Sequence, residues 1–188
     1  MWWSEHCAAI GRFSRLGVAF AVAGLVAGCF QPLYGDRSLA GGPGMRSKLS
    51  AVDVLPIDAP SGRPEARIGV EIRNALMFDM TGGGSAASPT HRLKINLAAS
   101  RQSVIVDIQT TRPDVENYGI DASYTLTDLA TGKVVVSGQT FARVSYDIPG
   151  QQQRFARARG LRDAENRAAK VIADQIRSRL ASFFVAGT

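Results

Sequence analysis

The sequence predicts an α+β fold: two helices packed on one face of a four-stranded, mainly antiparallel sheet, in the order β-α-β-β-β-α. Three observations predict it. Residues 91–146 contain three stretches in which apolar and polar residues alternate, the period of a half-buried strand. Stripes with helical spacing bracket them, one after Pro64 and one after Gly150. Clusters of Gly and Pro separate the blocks.

The chain begins with a segment of different character. Arg12 and Arg15 precede Leu16–Ala27, an apolar run with scattered glycines. About 20 residues are needed to cross a hydrocarbon core as a helix, so this run is too short to span and has the length of a signal-peptide h-region. It ends in Val26-Ala27-Gly28-Cys29, small residues before a nucleophilic thiol, a pattern that resembles a bacterial lipobox. The expected division is a cleaved lipoprotein signal peptide over residues 1–28, a lipidated N-terminus and tether over 29–47, and a single domain over 48–188. Phe30 follows the cysteine where Asp would retain a lipoprotein in the inner membrane, which favours the outer one. Cys7 and Cys29 are the only cysteines, so a mature chain has no thiol pair and its core rests on burial alone.

Gly35, Gly41, Gly42, Pro43 and Gly44 mark the tether. Leu49–Leu55 then reads as the first strand, stopped by Pro56 and Pro60. Pro64 suits a first helical turn, and Ile68, Ile72, Ala75 and Leu76 follow at helical spacing until Thr81-Gly82-Gly83-Gly84. The second strand alternates through His91, Leu93, Ile95 and Leu97, with a bulge expected at Ala98-Ala99 before Val104, Val106 and Ile108 resume. The third alternates through Tyr118, Ile120, Ala122, Tyr124 and Leu126. Thr131-Gly132 makes a tight turn into the fourth, whose inward set is Val134, Val136, Gly138, Thr140, Ala142, Val144 and Tyr146. Pro149-Gly150 ends the sheet. A helix from Gln152 to about Phe184 then carries Leu161, Ala164, Ala168, Ile172, Ile176, Leu180 and Phe183 along one stripe.

Catalytic chemistry finds no foothold. His91 is the single histidine after the leader, without a nucleophile elbow nearby, and reads as a polar residue at a strand start. No metal-ligand spacing or cofactor motif occurs, Gly82-Gly83-Gly84 lacks the ending of a phosphate loop, and Asp128 and Asp147 read as turn carboxylates without a fixed partner. The expectation is no enzyme and no cofactor.

The formal charge is +6, and removing Arg12, Arg15 and Glu5 with the leader leaves +5. Basic residues crowd the last helix, but Asp163, Glu165 and Asp174 interleave with them, which describes a solvated face and not a nucleic-acid track. Strand parity places Arg92, Lys94 and Arg143 on the sheet face turned away from the helices. That face could meet a phosphorylated lipid, with an ordinary wet surface as the alternative.

Gly28-Cys29-Phe30-Gln31-Pro32-Leu33-Tyr34-Gly35 resembles the mature start of the LPS-assembly lipoprotein family LptE, of the alphaproteobacterial type. Arg67-Ile68-Gly69 with Ile72-Arg73-Asn74-Ala75-Leu76 is similar to the family's first helix. Tyr146 followed by Arg162–Ala169 and Ile176–Leu180 is similar to its last helix, in the family's order. The resemblance implies a non-enzymatic outer-membrane lipoprotein, held by lipid on Cys29 and facing the periplasm and a barrel lumen. There it partners an LptD-type β-barrel in assembling lipopolysaccharide, and it binds lipopolysaccharide through basic side chains of the sheet. Arg92, Lys94 and Arg143 are the candidates by parity. The alternative is a generic lipid-anchored periplasmic binding or scaffold domain without a barrel partner.

Overall fold

The structure is a computed structural model that describes residues 44–60, 62–83, 87–107, 112–148 and 154–186. The expected signal peptide, Cys29 and the tether up to residue 43 lie outside the described residues. Helix α1 spans Met45–Ser50, strand β1 Val52–Val54, helix α2 Pro64–Thr81, and strands β2, β3 and β4 span His91–Asp107, Arg112–Asp128 and Val134–Asp147. Helix α3 covers Arg154–Ala186. The expected β-α-β-β-β-α order holds, preceded by one additional helical turn and a half.

That first turn corrects the N-terminal reading. Leu49 and Ser50, expected in a strand, belong to α1, and residues 45–47 are folded where a tether was expected. Met45 and Leu49 stand four apart on one helical face and are both buried, so helical spacing wins over the β-branched run that follows. The first strand is therefore short. Val52–Val54 pairs parallel with His91–Leu93, and the Leu55 N–H still reaches the Leu93 carbonyl at 3.0 Å before Pro56 ends the ladder.

The sheet order is β1-β2-β3-β4, with both later pairs antiparallel. No bulge occurs at Ala98-Ala99, where pairing with Asp121 and Ile120 is continuous. The register shifts instead around Ser103, Ile105 and Val106. The apolar positions change from odd to even along β2, which requires an extra residue somewhere, and it is taken up near the strand's far end. A second shift, between Leu126 and Thr127, pairs Thr127 with Val134 and leaves Val134 exposed instead of inward.

Helix α2 begins with Pro64 at its first position and ends on Gly82, whose φ of 66° closes the helix by returning its N–H to the Phe78 carbonyl. Its buried face is Ile68, Gly69, Ile72, Leu76 and Met80. Helix α3 buries Ala164, Ala168, Ile172, Ile176 and Leu180, five of the seven stripe positions expected, with Leu161 and Phe183 partly covered. It lies over β3 and β4 and against α2, while α2 borders β1 and β2. Between the layers Leu93, Ile95, Tyr118, Ile120, Ala122, Tyr124, Leu126, Val136, Ala142 and Tyr146 face the helices. Each large side chain taken fully out of water contributes about 1.5–3 kcal/mol, so this single core accounts for the fold without a crosslink.

Candidate functional site

The sheet's outer face follows from parity and register. Asp53 stands beside Arg92 across β1 and β2. Outward positions of β2 run Arg92, Lys94, Asn96, Ala98 and Ser100, opposite Thr127, Thr125, Ser123, Asp121 and Gly119 of β3. On β4 the series is Ser137, Gln139, Phe141 and Arg143, opposite Thr125, Ser123, Asp121 and Gly119. Arg92, Lys94 and Arg143 are all exposed, as parity requires.

They are not brought together. Arg92 and Lys94 are neighbours at the β1 end, whereas Arg143 lies two strands across and three outward rows from Lys94, four from Arg92. At ~3.3 Å per residue and ~4.8 Å per strand the separations are roughly 22 and 28 Å. Their surroundings differ too. Arg92 Nε is 3.4 Å from the Asp53 carboxylate, and Lys94 makes no ion pair with any described residue. Arg143 has several partners. Its Nη2 donates to both Asp121 oxygens at 2.8 and 3.0 Å, its Nη1 donates to the Ile120 and Ala142 carbonyls at 3.1 Å, and its guanidinium lies 5.5 Å from the centre of the Phe141 ring. Gly119 makes this possible, because a Cβ there would stand 2.9 Å from Arg143 Cδ and 2.8 Å from Ser100 Oγ.

Sequence reasoning passed over Asp121 and Phe141. Phe141 is 64% exposed at an outward position, and that mismatch of residue type with parity is the signal that could have found it. With Asn96, Ala98, Ser123 and Gln139 these two residues line a shallow cavity of about 370 Å³.

A second cavity, about 570 Å³, opens at the pole where α1 meets the end of α3, lined by Ser47, Lys48, Ala51, Thr90, His91, Phe183 and Phe184. His91 Nδ1 is 2.8 Å from Thr90 Oγ1, and its ring meets Phe184 edge-on at 5.1 Å between centres, so its role is structural packing at a strand start. Asp128 does have partners: the Ala130 N–H and the Thr131 hydroxyl bond its carboxylate and hold it below the usual carboxylate range. Among the described residues no group of three His, Cys, Asp or Glu is placed to hold a metal, and no helix is long and apolar enough to cross a membrane.

The basic side chains of α3 are only partly the solvated face expected. Arg157 pairs at 3.2 Å with Glu116, which also accepts the Tyr146 hydroxyl, and Arg167 binds Asp163 at 2.7 Å and the Ser145 carbonyl at 3.3 Å. Inside the same end of the molecule, Arg67 of α2 forks between Glu165, which is buried, and Asn166 at 2.9 Å. These pairs fasten helix to helix and helix to sheet.

Several solved structures described as lipoproteins share this architecture. A crystal structure of a Caulobacter crescentus protein described as a lipoprotein has a TM-score of 0.58 at 21% identity, covering 77% of this chain and 97% of that one. The solution structure of a lipoprotein B from Nitrosomonas europaea has a TM-score of 0.52 at 15% identity, covering 72% and 86%. The rare lipoprotein B of Shewanella oneidensis has 0.50 at 14%, covering 72% and 96%. At these identities the likeness is one of fold. No curated protein matches the sequence significantly. The family model LptE, described as lipopolysaccharide-assembly, matches residues 49–180, from the end of α1 to the last turns of α3. The chain therefore belongs to the LptE family of non-enzymatic, outer-membrane-associated lipopolysaccharide-assembly lipoproteins.

Proposed function

We propose that the mature chain is held to the outer membrane by lipid on Cys29, partners an LptD-type β-barrel, and binds lipopolysaccharide during its assembly there. The observation that carries this reading is the family match over residues 49–180, most of the α+β domain, which begins beyond the lipobox-like Val26-Ala27-Gly28-Cys29. Acyl chains contributing ~0.8 kcal/mol per buried methylene would hold such a protein to the membrane without a spanning helix. Of the three candidates, Arg92 and Lys94 are more available to a lipid A phosphate than Arg143, since Lys94 has no competing carboxylate among the described residues and Arg92 only a long contact to Asp53. Arg143, whose Nη2 donates to both oxygens of Asp121, would join them only by releasing that partner.

The test is purification of the tagged full chain from outer membranes in detergent. A β-barrel recovered in stoichiometric amount supports the partnership, whereas a lone lipoprotein supports the scaffold alternative. Lipopolysaccharide affinity is then compared at two salt concentrations for the parent and a variant with Arg92, Lys94 and Arg143 replaced by glutamine. Each exposed charge is worth on the order of 1 kcal/mol or less. A triple variant that binds as well as the parent, with unchanged circular dichroism, removes these residues from the lipid contact.

A further inference from the structure

The cavity over Phe141 differs in character from the basic end of the same face. Its rim is Phe141 and Gln139 on β4 and Asn96 on β2, and its floor is Ala98 and Ser123, small residues between larger ones. The single acid among the lining residues, Asp121, is matched by Arg143 at 2.8 Å, so the patch carries no net charge. Arg143 also packs against the Phe141 ring and so steadies it on the strand. What remains available is one exposed aromatic surface, two side-chain amides, a hydroxyl, and carboxylate lone pairs beyond those given to Arg143. All of these stand on paired strands and not on loops.

We propose that this cavity binds a single uncharged sugar ring. A pyranose has an apolar face of C–H groups that stacks on an aromatic ring, and an equator of hydroxyls that both donate and accept. Asn96 and Gln139 supply both functions, Ser123 adds another, and Asp121 accepts. A phosphate would find no unpaired cation here, and an acyl chain would leave the amides unsatisfied. A volume of about 370 Å³ falls at the small end of the ~300–1,000 Å³ range of ligand pockets. The proposal deepens the lipopolysaccharide reading above and rests on it for the source of the sugar: the glycan portion would lie on the middle of the sheet while the phosphates meet Arg92 and Lys94.

The experiment uses the mature chain in detergent with two probes, lipid-free oligosaccharide cut from lipopolysaccharide by mild acid, and lipid A micelles. Saturation-transfer NMR should show the sugar ring protons receiving magnetisation from the protein, with the Asn96 and Gln139 side-chain amide signals shifting on titration. Phe141→Ala and Gln139→Ala should each weaken oligosaccharide binding by about tenfold, Phe141→Trp should restore it, and lipid A binding should stay unchanged. Both side chains are exposed, so circular dichroism should match the parent. Oligosaccharide binding that survives Phe141→Ala overturns the proposal, as does its absence from a folded parent. If Phe141→Ala instead removes a co-purifying barrel and leaves sugar binding intact, the patch is a protein interface and the proposal falls. Intact lipopolysaccharide that binds while the oligosaccharide does not defeats this site alone. Oligosaccharide that binds while lipopolysaccharide does not defeats the broader reading alone.

Discussion

Gly119 and Arg143 are direct cross-strand partners, and the arginine lies over the bare α-carbon of the glycine to reach Asp121. The missing side chain on β3 thus fixes where the charge on β4 goes. Gly119→Ala would set a Cβ 2.8 Å from Ser100 Oγ and 2.9 Å from Arg143 Cδ, so the arginine must lift away. Expected is a destabilisation of about 1–3 kcal/mol, typical of overpacking, read as a lower urea midpoint with an unchanged slope.

Arg67→Met leaves the carboxylate of Glu165 buried without its partner. Breaking a buried pair from one side costs about 3–5 kcal/mol, whereas replacing both members with apolar residues costs much less. Chemical denaturation of Arg67→Met and of Arg67→Met with Glu165→Leu should therefore show the single variant as the weaker protein. The opposite order would mean that the pair is effectively solvated.

Alkaline stability should depend on two tyrosines. Burial, followed by the nearby Glu165 and Glu65 carboxylates, pushes Tyr118 up to about 12. Burial, followed by the hydrogen bond to Glu116, pushes Tyr146 up to about 12. A phenol ionises near pH 10 in the unfolded chain, so this contribution is complete below pH 10 and is lost as pH rises towards 12. Two units correspond to about 2–3 kcal/mol per tyrosine as an upper bound. Tyr118→Phe should flatten the alkaline limb of the stability curve. At neutral pH it should change stability by less than about 1 kcal/mol, because its hydroxyl has no hydrogen-bond partner among the described residues.

Ile172 sits fully buried at the centre of α3, between the helix and the sheet. Ile172→Ala should cost about 2–5 kcal/mol, a large share of the stability of a domain without a crosslink. A midpoint that does not move would place the helix on the wrong face.

Cys29→Ala should abolish acylation of the mature chain. Intact mass of the membrane-extracted parent should equal the chain from Cys29 plus its acyl groups, and a mature protein beginning elsewhere without added mass would end the lipobox reading.

The sequence displayed the long elements because their burial is one-sided and regular: Ile68, Ile72 and Leu76 on α2, Tyr118 through Leu126 on β3, Ala164 through Leu180 on α3. It misled where one apolar residue serves two periods, as Leu49 does ahead of Val52 and Val54. It also misled where a parity change had to be placed, at Ala98 or nearer Ser103. For the candidate site, parity correctly sent Arg92, Lys94 and Arg143 outward. Parity holds no information on who stands opposite whom, and it was the register that set Asp121 against Phe141, one row from Arg143, and emptied Gly119 beneath it.

Lys48 of α1 donates to the carbonyl of Phe184 at 3.1 Å, across 136 residues of sequence. The first helix of the domain thus finds this partner only when the last turns of α3 exist. A chain delivered from its N-terminus must wait almost to its end before its first and last helices can be joined, and contacts of such long separation slow the search for the native state. Truncation at the C-terminus should therefore be felt first at α1, the part of the described domain nearest in sequence to Cys29.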